Sequence, residues 1–432
     1  MTPLHGIGSR QDLPLPFWLV VTGAAIVLVV TFALLLFAWR EPRYEDESGR
    51  PLPRLTRVVD APVTTWVLRG VVAAIWLLAG VALVAGVDRI DNPVFCFIFV
   101  WVWVGLVPLS LLFGHVWRRT NPIRTLLAFM SVVTPSLRRR QPGRYSVRPA
   151  ALGLAAFLFL ELVQPDRTTL PVLRGYAAVW LIVLLFGALV VGRRWIAMAD
   201  PFEVFASTIA RMSPWGRTRS GQLMLTSPVR NLASWQVPKH LSWVCVVLLA
   251  GTAFDSFGNQ TWWIQLVQNS PLPSWLWGTI GLLTMTAIVA VTYLAGCAGL
   301  RSSDRSLAER ANLLAPGLVP IVAGYALAHY GTLLWLEGQR TALQFSDPLG
   351  RNWNLFGTAE LGINTAIIEH LTLVACFQVL CIVGGHVLGV LVSHDIALRY
   401  LHTDRDRLLG QAPLMAVMVF YTCMGLVLMF AR

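Results

Sequence analysis

The chain has 432 residues, of which 56% are hydrophobic and only 13% are charged. Its mean hydropathy is +0.63 and its formal net charge is +12. This composition excludes an ordinary soluble domain, in which about 25% of the residues are charged. It indicates an integral membrane protein whose excess of arginine faces anionic lipid headgroups, and it requires no nucleic-acid partner.

Apolar runs of about 20 residues, the length that crosses a hydrocarbon core of about 30 Å, recur along the whole chain. They predict an all-α membrane protein with ten transmembrane helices in a single domain, residues 1–432. The predicted spans are residues 18–39, 66–86, 94–114, 149–164, 177–192, 240–257, 274–299, 314–336, 366–392 and 411–431.

The arginine-rich connections, such as "WRRTNPIRT" and "SLRRRQPGRYSVR", all fall on one face of this arrangement. Basic residues resist translocation, so that face is expected to be cytoplasmic. We therefore predict a multi-pass plasma-membrane protein with both termini outside. Residues 115–148 and 193–239 are then cytoplasmic segments, and residues 258–273 and 338–363 are external loops.

The two cytoplasmic segments contain a short internal repeat, "NPIRTLLAFMSVVTP" (121–135) and "DPFEVFASTIARMSP" (200–214). Each copy starts with a capping residue and a proline, which favour a helix N-terminus. Both copies follow spans of the same direction, so the repeat is parallel. We expect two amphipathic helices on the cytoplasmic surface, with Arg124, Glu203 and Arg211 toward water or headgroups. A gating element is the alternative.

Ionisable side chains from four predicted spans approach the outer half of the membrane. Such groups cost free energy there unless they pair, bind a metal or line a wet cavity, so they mark a candidate site. The candidate pathway or binding residues are Asp255, His329, Tyr330, Glu337, Glu369, His370, Gln378 and His386.

Several of these residues also have a structural interpretation. Carboxylates near the interface are hydrated there, which applies to Glu161, Glu337 and Glu369. His386 lies between Gly385 and Gly389, which allow close helix approach. This histidine is then a packed side chain that donates to a neighbouring carbonyl.

A metal centre is a further candidate, although the sequence contains no local metal-binding motif. Imidazole and carboxylate ligands suit zinc, copper or iron. His329, His370 and Asp255 come from separate spans, and His5 from the outward N-terminus is a fourth candidate ligand. The sequence identifies no catalytic residue.

Several stretches resemble a group of actinobacterial polytopic membrane proteins labelled fenitrothion hydrolase. They include "HGIGSRQDLPLPFWL", "DPFEVF", "LLAPGLVPIVAGYALAHY", "SDPLGRNWNLFGTAE" and "GGHVLGVLVSHDIAL". The resemblance implies hydrolysis of organophosphate triesters by a metal-activated water. The candidates that lie in the matching stretches are His5, Asp200, His329, Glu337, Asp347, His386, His394 and Asp395.

Three functions follow from these patterns. The protein moves a small solute, a metal ion or protons, in which case an aqueous path continues inward through Gln378 and His386. Alternatively it is a metal-dependent membrane hydrolase with a closed outer pocket. In the third interpretation it is an accessory subunit that meets a membrane-protein partner.

Overall fold

The computed structural model describes residues 9–46, 48–133, 145–300, 305–401 and 403–430. Several helices begin with proline. The backbone N–H groups of the first turn have no partner within the helix, so proline, which lacks an N–H, loses no hydrogen bond there. The α-helices are α1 Phe17–Ala38, α2 Pro53–Val59, α3 Pro62–Ala85, α4 Pro93–Cys96, α5 Leu106–Phe113, α6 Val116–Thr120, α7 Pro122–Val133, α8 Arg148–Leu162, α9 Leu170–Val191, α10 Arg194–Ala199, α11 Pro201–Ile209, α12 Pro228–Ala233, α13 Leu241–Gly258, α14 Thr261–Gln268, α15 Ser274–Cys297, α16 Leu307–Leu314, α17 Val319–Gln344, α18 Leu371–Leu398 and α19 Asp404–Phe430.

Other regular structure is sparse. Short 3-10 helices lie at Arg10–Asp12, Ala210–Met212, Ala315–Leu318 and Ala366–His370. One small antiparallel sheet has the strand order β1-β3-β2, and its strands are β1 Arg50–Pro51, β2 Trp215–Arg217 and β3 Leu223–Leu225.

Eight helical segments of the described chain are long and apolar enough to cross a membrane. They are Phe17–Ala38, Pro62–Ala85, Leu170–Val191, Leu241–Gly258, Ser274–Cys297, Leu307–Gln344, Ala366–Leu398 and Asp404–Phe430. A ninth results if Pro93–Val102 and Leu106–Phe113, which meet at 42°, form one broken span. The break follows a π-helical stretch, Phe97–Val102, which interrupts the α-helical hydrogen-bond ladder. The prediction of a multi-pass helical membrane protein is confirmed.

The fourth predicted span, residues 149–164, corresponds to α8, which has only 15 residues. At 1.5 Å per residue α8 is about 22 Å long, shorter than a hydrocarbon core of about 30 Å. Its start lies beside the start of α13, because the N–H of Val147 donates to the carbonyl of Lys239 at 3.0 Å. Just after α8, the N–H of Leu170 donates to Asp88 at 2.9 Å. The ten-span topology stays a prediction.

Several arginine-rich segments of the described chain meet at one end of the bundle, which we call the basic end. There Asp60 accepts hydrogen bonds from Arg119 and Arg217, and the N–H of Arg43 donates to Asp395 at 2.7 Å. The predicted external loops lie at the opposite end but differ in extent. Residues 258–273 include α14, and α17 continues to Gln344, so the second loop starts after that residue and not at 338.

α17 and α18 pack closely against each other through glycines. A Cβ on Gly385 would lie 2.5 Å from the carbonyl oxygen of Pro320, and one on Gly324 would lie 2.2 Å from that of Cys381. A Cβ on Gly389 would likewise lie 2.5 Å from a backbone carbonyl oxygen of the facing segment. The small-residue pair around His386 therefore fixes this interface, as the sequence indicated.

We expect Gly385→Ala to destabilise the protein by about 1–3 kcal/mol, because the added methyl group meets backbone that no side-chain rotation can move. Gly384→Ala, the matched control on the same helix, meets nothing within 4 Å. It should be neutral or gain up to about 1 kcal/mol from helix propensity. Thermal unfolding of the detergent-purified variants measures both effects. Equal midpoints for the two variants would contradict the glycine interface.

Candidate functional site

Asp255 is the centre of a buried polar cluster between α13 and α17. It is the fourth residue from the end of α13, while His329 and Tyr330 lie on α17. One carboxylate oxygen, Oδ2, accepts from Nε2 of His329 at 2.9 Å and from the hydroxyl of Tyr330 at 2.7 Å. The three residues expose 5%, 0% and 2% of their surface, so the bonds form without competing solvent.

Two hydroxyl groups extend the cluster from the other side of the imidazole. Ser256 Oγ lies 3.2 Å from Nδ1 of His329 and 2.7 Å from the hydroxyl of Tyr325. Tyr325 is one helical turn before His329, and their rings stack at a centroid distance of 5.9 Å. Both nitrogens of the imidazole are therefore bonded, one to a carboxylate and one to a hydroxyl chain.

The hydroxyl chain accommodates two arrangements of protons without any movement of heavy atoms. With a neutral imidazole, Tyr325 donates to Ser256, Ser256 donates to Nδ1, and Nε2 donates to Asp255. With a protonated imidazole, Nδ1 donates to Ser256 and Ser256 donates to Tyr325. Hydroxyl groups both donate and accept, so the same geometry satisfies both states.

Glu161 places a second carboxyl group within electrostatic reach of Asp255. Its Oε2 atom is buried and has no hydrogen-bond partner among the described residues, while the residue as a whole is partly exposed, so its hydration stays a prediction. Both carboxyl groups lie near helix C-termini, where the macrodipole disfavours an anion. The guanidinium of Arg167 also lies within electrostatic reach of Glu161.

Three of the predicted site residues lie apart from this cluster. Glu337 pairs with Arg340 at 3.6 Å, at a partly exposed position of α17. Glu369 and His370 are exposed in the 3-10 helix before α18. The interpretation of Glu337 and Glu369 as hydrated carboxylates fits these positions. His5 lies outside the described residues.

The described residues do not assemble the predicted metal site. Within the described ranges, no three His, Cys, Asp or Glu side chains are arranged to hold a metal ion. His329 and Asp255 meet, but they bond directly to each other, and the exposed His370 does not join them. The predicted ligand set is therefore reduced to one adjacent pair.

Polar side chains continue along the buried face of α18. Gln378 and His386 expose 1% and 2% of their surface. Nδ1 of His386 donates to the carbonyl of Ile382 at 2.8 Å, as the structural interpretation of this histidine predicted, although the carbonyl belongs to its own helix. Its Nε2 atom is buried and has no hydrogen-bond partner in the part of the chain that the structure describes.

Three of the candidates from the stretches that resemble fenitrothion hydrolases have structural roles. His394 bonds the carbonyl of Trp39 at 2.9 Å, and the neighbouring Asp395 accepts from the N–H of Arg43 at 2.7 Å. Together they fasten the chain that follows α1 to the end of α18. Asp347 accepts from two backbone N–H groups of its own loop, at 2.9 and 2.6 Å, and so stabilises a turn.

The two copies of the internal repeat meet head to head. Asn121 and Asp200 cap the N-termini of α7 and α11, and the amide of Asn121 donates to Oδ2 of Asp200 at 2.7 Å. One turn further on, Arg124 donates twice to Glu203, both times at 2.5 Å. The sequence positions that match in the repeat are thus the positions that pair in space.

This pairing corrects the prediction of a surface helix for α11, whereas α7 exposes Leu126 and Phe129 and its assignment as a surface helix stays a prediction. Nearly every residue of α11 is buried, and the side chain of Glu203 is only 2% exposed, so it does not face water or headgroups. The side chain of Arg124 is only 14% exposed, because it turns inward to bond the buried Glu203. Arg211 packs over the ring of Trp235 at 5.0 Å. The sequence located both helices correctly but could not show that their N-caps bond each other.

A cavity of about 580 Å³ opens beside α17 on the side that carries Gly331, the residue after Tyr330. Trp101 and Trp335 line it, and Gln339 and Asn364 supply its polar groups. The indole of Trp335 and the amide of Gln339 both donate to the carbonyl of Asn364, which fixes the loop at the mouth.

Comparison with protein-family models, curated proteins and solved structures finds no match. The resemblance to fenitrothion hydrolases therefore stays a prediction. Ser256, which connects Tyr325 to His329, was not among the predicted site residues. Its only signal in the sequence is its position next to Asp255, because a serine in an apolar helix ordinarily bonds its own backbone.

Asp200 generates a pH prediction. Burial raises its pKa from 3.8 to about 7, and the nearby Glu203 adds to the rise, while the bond from Asn121 opposes it. The folded protein therefore holds this proton more tightly than the unfolded chain does. The contribution of this proton to the stability of the folded state is fully present below about pH 4, and it is lost as the pH rises through about 7.

We expect the unfolding midpoint of the wild type to fall by about 4 °C or more across that pH range, relative to Asp200→Asn. The variant cannot titrate at this position, so the difference between the two proteins isolates Asp200 from other groups. Thermal unfolding in detergent over a pH series measures it. Parallel pH profiles would show that Asp200 is ionised throughout.

Proposed function

We propose that this protein carries protons, alone or together with a small solute, across the plasma membrane, and that Asp255 and His329 are the groups that bind the transported proton. The proposal includes the ten-span arrangement with both termini outside, in which this pair lies in the outer half of the membrane. Anionic headgroups then face the basic end on the cytoplasmic side.

The observation that carries the proposal is the bonding of both nitrogens of His329. A purely structural histidine needs only one stable proton arrangement. Here a carboxylate on one side and two hydroxyl groups on the other permit two arrangements, and a second carboxyl group lies within electrostatic reach. Imidazole is also the side chain that changes charge near neutral pH in its unperturbed state.

An inward path from this pair would follow α18. Gln378, His386 and Ser393 are buried on one side of that helix, within an arc of about 80°. About 12 Å separates Gln378 from His386 along the axis at 1.5 Å per residue, so proton transfer there requires intervening water. Nε2 of His386 and Oγ of Ser393 have no hydrogen-bond partner in the described ranges and supply groups that such water can bond.

The other two functions find less support in the contacts of the described residues. A metal-dependent hydrolase needs a ligand set, and of the candidate ligands that the structure describes only His329 and Asp255 meet. An accessory subunit needs a partner surface at mid-membrane, and exposed apolar side chains are expected on any lipid-facing helix. Both functions stay predictions from the sequence.

We expect His329→Ala and Asp255→Asn each to lower proton flux by about 100-fold, since each removes a group that must accept and release the proton. The assay is the decay of an imposed pH gradient in liposomes that contain the purified protein and a pH-sensitive dye. His370→Ala is the matched control, because it removes an exposed histidine near the same end of the bundle and should leave flux unchanged.

Equal flux in His329→Ala and wild type, with both proteins folded, would contradict the proposal. Tyr330→Phe refines the result, because it removes one bond to Asp255 but leaves the hydroxyl chain on the other side of His329. We expect it to slow flux less than either charge-altering variant does.

The path along α18 has its own test. His386→Leu fills the same position at the α17–α18 interface with an apolar side chain and removes the ring nitrogen that has no partner among the described residues. We expect flux to fall by about 10-fold or more, because the hydrogen-bonded chain of water loses one of its fixed partners. Flux at the wild-type level in this variant, measured in the same liposomes, would place the path elsewhere.

A further inference from the structure

Arg69 is a cation within an otherwise apolar helix. It is the eighth residue of α3, about 10 Å from the helix start at 1.5 Å per residue. Its Nε donates to the carbonyl of Arg119 at 2.9 Å, and its guanidinium lies 5.1 Å from the ring of Trp66. Among the described residues no carboxylate lies within ion-pairing distance of the Arg69 guanidinium.

Two further cations lie within electrostatic reach of Arg69. The guanidinium groups of Arg193 and Arg124 lie close enough to repel it. Arg124 already bonds Glu203, and Arg119 already pairs with Asp60. Arg69, Arg124 and Arg193 thus bring positive charge to one place at the basic end, an arrangement that favours an anion from outside the chain.

The surface beside this charge is apolar. α7 packs on α9 through Ile123 and Leu127, and the ring of Phe129 lies 5.6 Å from that of Trp66 on α3. Phe129 is 60% exposed and Val67 is 59% exposed. A molecule that meets the arginines at this place therefore also meets exposed hydrocarbon, which distinguishes an amphiphile from a free anion.

From this geometry we infer that Arg69 binds the phosphate of an anionic phospholipid, with Arg193 and Arg124 adding positive potential, and that the acyl chains lie along α3 and α7. The planar guanidinium of Arg69 supplies donors that match phosphate oxygens. The long side chain reaches from a position inside the span back toward the headgroup level, as arginines near membrane interfaces do.

The test is the binding of phosphatidylglycerol to the full-length detergent-purified protein. Native mass spectrometry and the shift of the unfolding midpoint both measure this binding. Arg69→Gln should weaken the apparent affinity by about tenfold, the loss expected for one charge-assisted bond. Arg69→Lys, which keeps the charge but loses the fork of donors, should lie between Arg69→Gln and wild type and serves if Arg69→Gln does not fold.

Arg174→Gln is the matched control. Arg174 lies on α9 near the opposite end and donates to the carbonyls of Leu83 and Val84, so its loss also frees backbone carbonyls. It should leave phosphatidylglycerol binding unchanged.

Three results would overturn the assignment. One is an affinity for phosphatidylcholine equal to that for phosphatidylglycerol in wild type. Another is an undiminished affinity for phosphatidylglycerol in Arg69→Gln. Stabilisation by sodium phosphate alone, abolished in Arg69→Gln, would assign the site to a free anion and overturn the lipid assignment.

Discussion

An ionisable carboxyl group inside an apolar bundle must find partners, and the pairing of Asp255 with His329 meets this constraint. Asp255 is near the C-terminus of α13, where the helix dipole does not stabilise its charge. His329 and Tyr330, which donate to it, both lie on α17, so these bonds also fix the position of α17 relative to α13. The glycine contacts between α17 and α18 then determine where α18 lies.

A second buried charge arrangement holds the other part of the bundle together. Asn121, Arg124, Asp200 and Glu203 form a closed set in which each side chain bonds a member of the other repeat copy. Glu203 has its cation, whereas Asp200 has only an amide and backbone donors. Such a set fixes the register of two helix N-termini, and breaking it leaves a buried charge without its partner.

The sequence predicted the elements well and their contacts only in part. Hydropathy located the apolar helices because lipid imposes a length and an apolar composition on each of them. The adjacency of His329 to Asp255 was a hypothesis from their predicted depth in the membrane alone, and the two side chains do bond each other. His370 has a similar predicted depth but is exposed. Depth does not specify which face of a helix points inward. The paired N-caps were unpredictable for the same reason, because a repeat motif does not reveal that its copies bond each other.

The most direct test of the central claim is an infrared difference spectrum between acidic and alkaline pH, recorded on the wild type, Asp255→Asn and His329→Ala. A proton-binding pair predicts a carboxyl C=O band that vanishes in Asp255→Asn and changes its titration in His329→Ala. A spectrum that is identical in wild type and Asp255→Asn would mean that Asp255 does not exchange a proton. The buried cluster would then only hold α13 and α17 together.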